Sequence, residues 1–149
     1  ASYIHNACEF TGLDLASVAI LTTTNRQGRL LEKSLRAEHS DLRARFMESK
    51  YFDVFYPGVK IGTLHASKGL EFGIVILHKI DDEFPRDVTG GKDESEEHER
   101  ARKALFVACS RAMERLCIIS PGYAESKFLS DLSDDVWKFQ YSERSEKCR

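Results

Sequence analysis

The chain has 149 residues, 42% of them hydrophobic and 31% charged, with a formal net charge of −2. That size and balance describe a single soluble domain able to bury a core. They exclude a protein that holds nucleic acid by overall charge, since any such binding needs a local basic face. No apolar run approaches the length of a membrane span, and residues 1–20 show no secretory signal. Cys8, Cys109, Cys117 and Cys148 lack C-x-x-C spacing, which points to a reducing, cytosolic compartment without structural zinc. The chain starts at Ala1 rather than Met, as a piece of something longer would.

Residues 2–11 read as a short helix, with Ile4, Ala7, Cys8 and Phe10 near helical spacing and Gly12 as its stop. Val18-Ala-Ile-Leu21 is a short apolar run, the mark of a strand buried on both faces. Thr22-Thr-Thr-Asn25 is a polar turn with Asn25 as N-cap. A helix over 26–38 follows, with Leu30, Leu31, Ser34 and Leu35 inward and Arg26, Arg29, Lys33 and Arg36 on one outer face. That basic stripe is either a solvated surface or a phosphate-facing one. Leu42–Phe46 and Tyr51–Tyr56 have strand-like composition, and Pro57-Gly58 is a turn.

Val59, Ile61 and Thr63 alternate with Lys60, Gly62 and Leu64, a half-buried strand. It leads into the polar turn 65–71, and Ile74–Leu77 is a second buried strand. Residues 80–95 are a polar loop. Asp93-x-x-Glu96 reads as a capping box for a helix to Met113 that is apolar all round from Ala104 to Cys109, hence deeply buried there. Leu116–Ile119 is a third buried strand, 124–132 a short helix and 142–149 a polar tail. Buried strands alternating with helices predict an α/β domain over 1–141: a mostly parallel sheet with helices on both faces. Ligands of such sheets bind beyond the strands' carboxyl ends, where 65–71 and Thr22–Asn25 are expected.

Arg111 lies between a buried helix and a buried strand. A guanidinium there is costly unless it is paired, for instance with Glu114, or aimed at an anion such as phosphate. His65 is either a hydrogen-bonded turn residue or a ligand contact. Glu71 either pairs with Lys68 or accepts from sugar hydroxyls, as acidic residues do in nucleotide sites. Gly90-Gly-Lys92 fails as a phosphate loop: it lacks the upstream glycine and the following Ser/Thr, and follows no strand. The run Ile74–Glu83 ends in acids, but His78 and Lys79 interrupt it, which argues against a metal site.

Three segments together resemble the UvrD/Rep-like superfamily 1 DNA helicases. Thr63-Leu-His-Ala-Ser-Lys-Gly-Leu-Glu-Phe72 is similar to motif V, Ala104–Leu116 to motif VI, and Val18–Leu21 with Thr24–Arg29 to motif IV. Phe84-Pro85 and Ser126–Leu129 also look like the family, and order and spacing agree over roughly 15–130. The resemblance implies the second RecA-like motor domain (2A) in a P-loop NTPase-like fold. ATP with Mg2+ would lie in the cleft against the N-terminal RecA-like domain of the same full-length chain. That domain holds the phosphate-binding loop and the magnesium-binding acids, so this chain alone is not expected to hydrolyse ATP.

By resemblance Arg111 is the arginine finger on the γ-phosphate, and Glu71 binds the ribose. Gly69 shapes the nucleotide side of the loop. Thr63, His65 and Lys68 face single-stranded DNA, with Arg29 of the basic stripe beside them. The implied polarity is 3′ to 5′, and the location cytoplasmic and nucleoid-associated. Two departures stand out. The family's Tyr-Arg before the motif IV Thr-Asn is Thr22-Thr23 here. Only residues 39–62 separate the motif IV helix from motif V, leaving no room for an accessory 2B insertion. Thr22-Thr23 also keeps open a non-catalytic RecA-like binding or regulatory module, and an unrelated nucleotide-binding domain is a third reading.

Overall fold

The structure, a computed structural model, describes residues 1–80, 84, 94–120, 129, 135 and 137–138. Five strands form one sheet: β1 (Val18–Thr22), β2 (Arg45–Phe46), β3 (Lys60–Thr63), β4 (Phe72–His78) and β5 (Ala112–Ile119). Their order is β2-β3-β1-β4-β5, and every pairing is parallel. Among the described residues three helices pack on it: α1 (Ser2–Thr11), α2 (Asn25–Glu38) and α3 (Glu94–Cys109). The sheet predicted from alternating apolar runs and helices is therefore present, with helices on both faces.

The two faces are distinct cores. Val18, Ile20, Ile61, Ile74 and Ile76 meet Ile4 and Ala7 of α1, with Leu31 and Leu35 of α2 against them. Ala19, Leu21, Val75 and Leu77 meet Ala101 and Ala108 of α3. The period of two along each strand makes this division. The connection β1–α2–β2 runs one way across the sheet and β4–α3–β5 runs the other. Right-handed crossovers then put α2 and α3 on opposite faces. β1 and β4 are neighbours whose connections diverge, so the crevice of the fold opens at their carboxyl ends, at Thr22–Thr23 and His78–Lys79.

Several expectations shift. Thr24, not Asn25, caps α2: its hydroxyl accepts from Gln27 N at 3.3 Å. Leu30 is 59% exposed and does not join the inner stripe. Phe10 is also outside; the Arg115 guanidinium lies 4.0 Å from its ring centroid. Only Arg45–Phe46 of the 42–56 stretch is strand; Ser49–Tyr51 is a 3-10 turn and Tyr51–Tyr56 is not a strand. β3 is buried on both faces rather than half-buried, because Lys60 is fully enclosed. Its ammonium donates to the carbonyls of Ala16 and Tyr56, and burial lowers its pKa.

The helix α3 stops at Cys109, not Met113, and β5 begins at Ala112. Pairing with β4 captures Ala112–Met113 despite their helical spacing. A register shift between Phe72 and Ile74 absorbs the extra residue. The second half of α3 is not deeply buried all round, since Phe106 is 75% exposed. β5 stands at the end of the described strands, and its residues are half-buried or exposed rather than buried. Asp93 of the capping box, Pro85, most of the 80–95 loop, the 124–132 helix apart from Leu129, and the 142–149 tail lie outside the described residues. Phe84 and Leu129 do join the core on the α3 face.

Candidate functional site

The segment from Thr63 to Phe72 crosses from one edge of the sheet to the other. Thr63 ends β3 beside Thr22, and the Leu64 amide donates to the Thr22 carbonyl at 2.9 Å. Phe72 begins β4 opposite Ala112, the first residue of β5. The expectation that all of 65–71 lies at the carboxyl edge is therefore corrected. His65 leaves from that edge, but Glu71 stands at the amino edge. The chain must return to start a parallel strand, so one short connection touches both. The length of β4 that divides them, residues 72–78, corresponds to about 20 Å at ~3.3 Å per residue.

The turn between the edges is braced from inside. Thr63 Oγ1 accepts from Ala66 N at 3.1 Å, and buried Ser67 donates its hydroxyl to Leu64 O at 2.8 Å. Leu64 and Ala66 point into the core, while His65, Lys68, Gly69 and Glu71 are exposed. Gly69 has φ 82° with nothing within 4 Å of a Cβ position, so backbone conformation, not space, requires glycine there. No ion pair joins Glu71 to Lys68 among the described residues; both charges face outward.

Arg111 occupies the turn between α3 and β5. Its guanidinium makes no salt bridge to Glu114. It is satisfied by three neutral acceptors: Nε to Val107 O at 3.0 Å, Nη1 to Leu70 O at 3.2 Å, and Nη2 to Ser110 Oγ at 3.1 Å. The Arg111 carbonyl in turn accepts from Phe72 N at 2.9 Å. Residue 111 thus bonds the backbone on both sides of Glu71. The clasp holds the backbone of Glu71 beside Arg111 on the same edge. Ser110 completes it by donating to Val107 O at 2.8 Å. The sequence signal for Ser110 was only its adjacency to Arg111.

At the carboxyl edge Thr22 is fully buried. Its hydroxyl lies 3.1 Å from Thr24 O and 3.2 Å from Gly62 O, so the position faces the interior, not a ligand. Thr23 Oγ1 and Gln27 Oε1 are 2.6 Å apart. Of the basic stripe, Arg29 pairs with Glu48 and lies 5.2 Å from the Phe46 ring centroid. Arg36 reaches Glu32 at 3.7 Å, and Arg26 and Lys33 remain exposed. Among the described residues the buried Nδ1 of His78, at the crevice, has no hydrogen-bond partner; burial, then the neighbouring Lys79 charge, lower its pKa. Composition alone gave no sign of that histidine's setting.

Thus Glu71, Gly69 and Arg111 come together near the amino edge, Thr63 and His65 belong to the carboxyl edge, and Arg29 is engaged elsewhere. An exposed carboxylate and a guanidinium on backbone held together at one edge can serve a sugar hydroxyl and a phosphate. Among the described residues no three His, Cys, Asp or Glu side chains gather as a metal-holding group, and no helix is long and apolar enough to cross a membrane.

The model of the UvrD-like helicase C-terminal domain matches residues 43–122. A protein of Bacillus subtilis (strain 168), provisionally named ATP-dependent DNA helicase YjcD, is 36% identical over 74 residues, 47% of this chain. The match spans only 10% of that relative's length. A solved structure, the C-terminal domain of a possible DNA helicase from Lactobacillus plantarum WCFS1, superposes with a TM-score of 0.62. That likeness covers 90% of this chain and 73% of the other at 22% identity, and speaks to the fold.

Proposed function

The chain belongs to the UvrD-like helicase C-terminal domain family, and from that membership we propose that it is the second motor domain of an ATP-dependent DNA helicase or translocase. It works against an N-terminal RecA-like domain that supplies the phosphate-binding loop and the magnesium-binding acids. Glu71 receives the ribose hydroxyls, with Gly69 shaping that loop. Thr63, His65 and Lys68 hold the single-stranded DNA backbone, and movement is 3′ to 5′. Arg29 serves DNA only after leaving Glu48, so Arg26 is the better placed cation of α2.

One observation carries this reading: Arg111 clasps the backbone on both sides of Glu71, at the far end of the connection that begins at Thr63. Phosphate oxygens offer charge-assisted bonds roughly twice as strong as those to neutral carbonyls. On nucleotide binding the Nη atoms exchange Leu70 O and Ser110 Oγ for the γ-phosphate. Arg111 then stabilises transferring charge as an arginine finger, a role worth about 10³–10⁵ in rate in GTPases. Release of Leu70 loosens the connection at its nucleotide end and shifts the grip at its DNA end, so the two ligands are coupled through ten residues of backbone, 63–72.

The enclosed Thr22 favours a second reading, a non-catalytic RecA-like module, since no side chain there is available to stack on a base. His65→Ala in the full-length protein separates the two ligands. It is expected to weaken oligothymidylate binding about tenfold while nucleotide affinity stays unchanged; unchanged DNA affinity refutes the DNA-facing assignment.

A further inference from the structure

Tyr51 and Phe55 are 79% and 90% exposed. Neither ring meets another ring or a guanidinium among the described residues. Large aromatic groups left in water carry a free-energy cost that burial elsewhere would remove. They are not exposed because the segment is loose. Phe52 is clamped on the sheet: a Cβ on Gly62 would fall 2.6 Å from its ring, and its centroid is 5.9 Å from that of Phe72. Tyr56 donates its hydroxyl to Arg43 O at 2.8 Å and receives the Lys60 ammonium on its carbonyl at 3.0 Å. The backbone is pinned by Tyr51 N to Glu48 O and Phe55 N to Asp53 Oδ1, both at 2.9 Å. Phe52 and Tyr56 anchor the segment; their neighbours one residue earlier are held outward.

The surrounding charge is selective. Glu48 is taken up by Arg29 and Asp53 is turned onto the Phe55 amide. Arg43, Arg45 and Lys50 stay exposed, with Arg45 5.5 Å from the Tyr56 ring centroid. Rigid aromatic faces among outward cations are the pattern that binds single-stranded nucleic acid by stacking on its bases. Position agrees: Phe52 packs on Gly62, the residue before Thr63, so Tyr51 lies beside the carboxyl end of β3.

We propose that Tyr51 and Phe55 form a base-stacking platform that continues the single-strand track from Thr63 and His65 along the flank of β3. This rests on the reading of the carboxyl edge as the DNA face. Stacking is sequence-tolerant because every base has a π-face, so the platform grips any strand passing over it.

The test uses the full-length protein and oligothymidylate. Tyr51→Trp keeps a stacking ring and adds a reporter in a chain whose one tryptophan is Trp137. Its emission is expected to quench on titration, beyond any change in the parent. Tyr51→Ala/Phe55→Ala is expected to lower affinity about tenfold or more with the salt slope unchanged, because no phosphate contact is lost. If emission is unaltered and the double variant binds like the parent while His65→Ala binds weakly, the platform is overturned and the DNA track stands. If His65→Ala is also without effect, the track itself falls. Parent-like oligonucleotide affinity with loss of a protein–protein contact assigns the rings to a protein partner and overturns the proposal.

Discussion

Replacing Arg111 with alanine removes a clasp as well as a charge. Three hydrogen bonds disappear, to Val107 O, Leu70 O and Ser110 Oγ. Each is worth roughly 0.5–1.5 kcal/mol net. The side chain is half-exposed, so water partly replaces the lost donors, and the sum falls to about 1–3 kcal/mol. With a urea dependence of about 1–3 kcal/mol per molar for a domain of this size, the unfolding midpoint should drop by roughly 1 M. Arg111→Lys retains one donor group and should lose less. The assay is urea unfolding followed by circular dichroism, and a midpoint unchanged in Arg111→Ala would refute the clasp.

Gly62→Ala puts a methyl 2.6 Å from the Phe52 ring. Displacing that clamped ring should cost about 1–3 kcal/mol, read as a lower thermal midpoint, and an unperturbed midpoint would show the 51–56 segment to be loosely held. His78 has a pKa below its unfolded value of about 6.5, by burial and then by Lys79. Between the two values the unfolded chain carries the proton and the folded chain does not. Stability is therefore complete above about pH 6.5 and declines as pH falls below it. The difference in urea midpoint between pH 7.5 and pH 5.5 should shrink in His78→Gln; an identical difference would mean that another group sets the slope.

The sheet was legible where burial is written in apolar letters. Val18–Leu21 and Ile74–Leu77 are continuous runs because both faces of β1 and β4 are covered. β3 misled because one of its letters is a lysine. Lys60 is core only by virtue of two backbone acceptors, Tyr56 O close by and Ala16 O 44 residues away, and its own strand pattern encodes neither. The overrun of α3 has the same origin: Ala112 and Met113 keep helical spacing, but β4 claims them. Tyr51–Tyr56 read as a strand because aromatic content favours one, whereas its alternation is between anchored and exposed rings.

For the site, the motifs named the residues and the topology grouped them. His65 and Glu71 are near in sequence yet belong to opposite edges, while Glu71 and Arg111 are distant in sequence and clasped. The partner of Arg111, Leu70 O, is 41 residues away and is a main-chain atom. A search of the sequence for a compensating acid, such as Glu114, could not find it.

The proposed arginine finger requires Arg111 to leave its clasp for a phosphate, and DNA-stimulated ATP turnover by Arg111→Lys in the full-length protein tests this most directly. The substitution keeps the charge and most of the fold but not the planar fork. Turnover is predicted to fall about 10³-fold or more by analogy with other arginine fingers, with oligothymidylate affinity retained. Turnover near that of the parent would contradict the assignment and leave Arg111 a structural clasp alone.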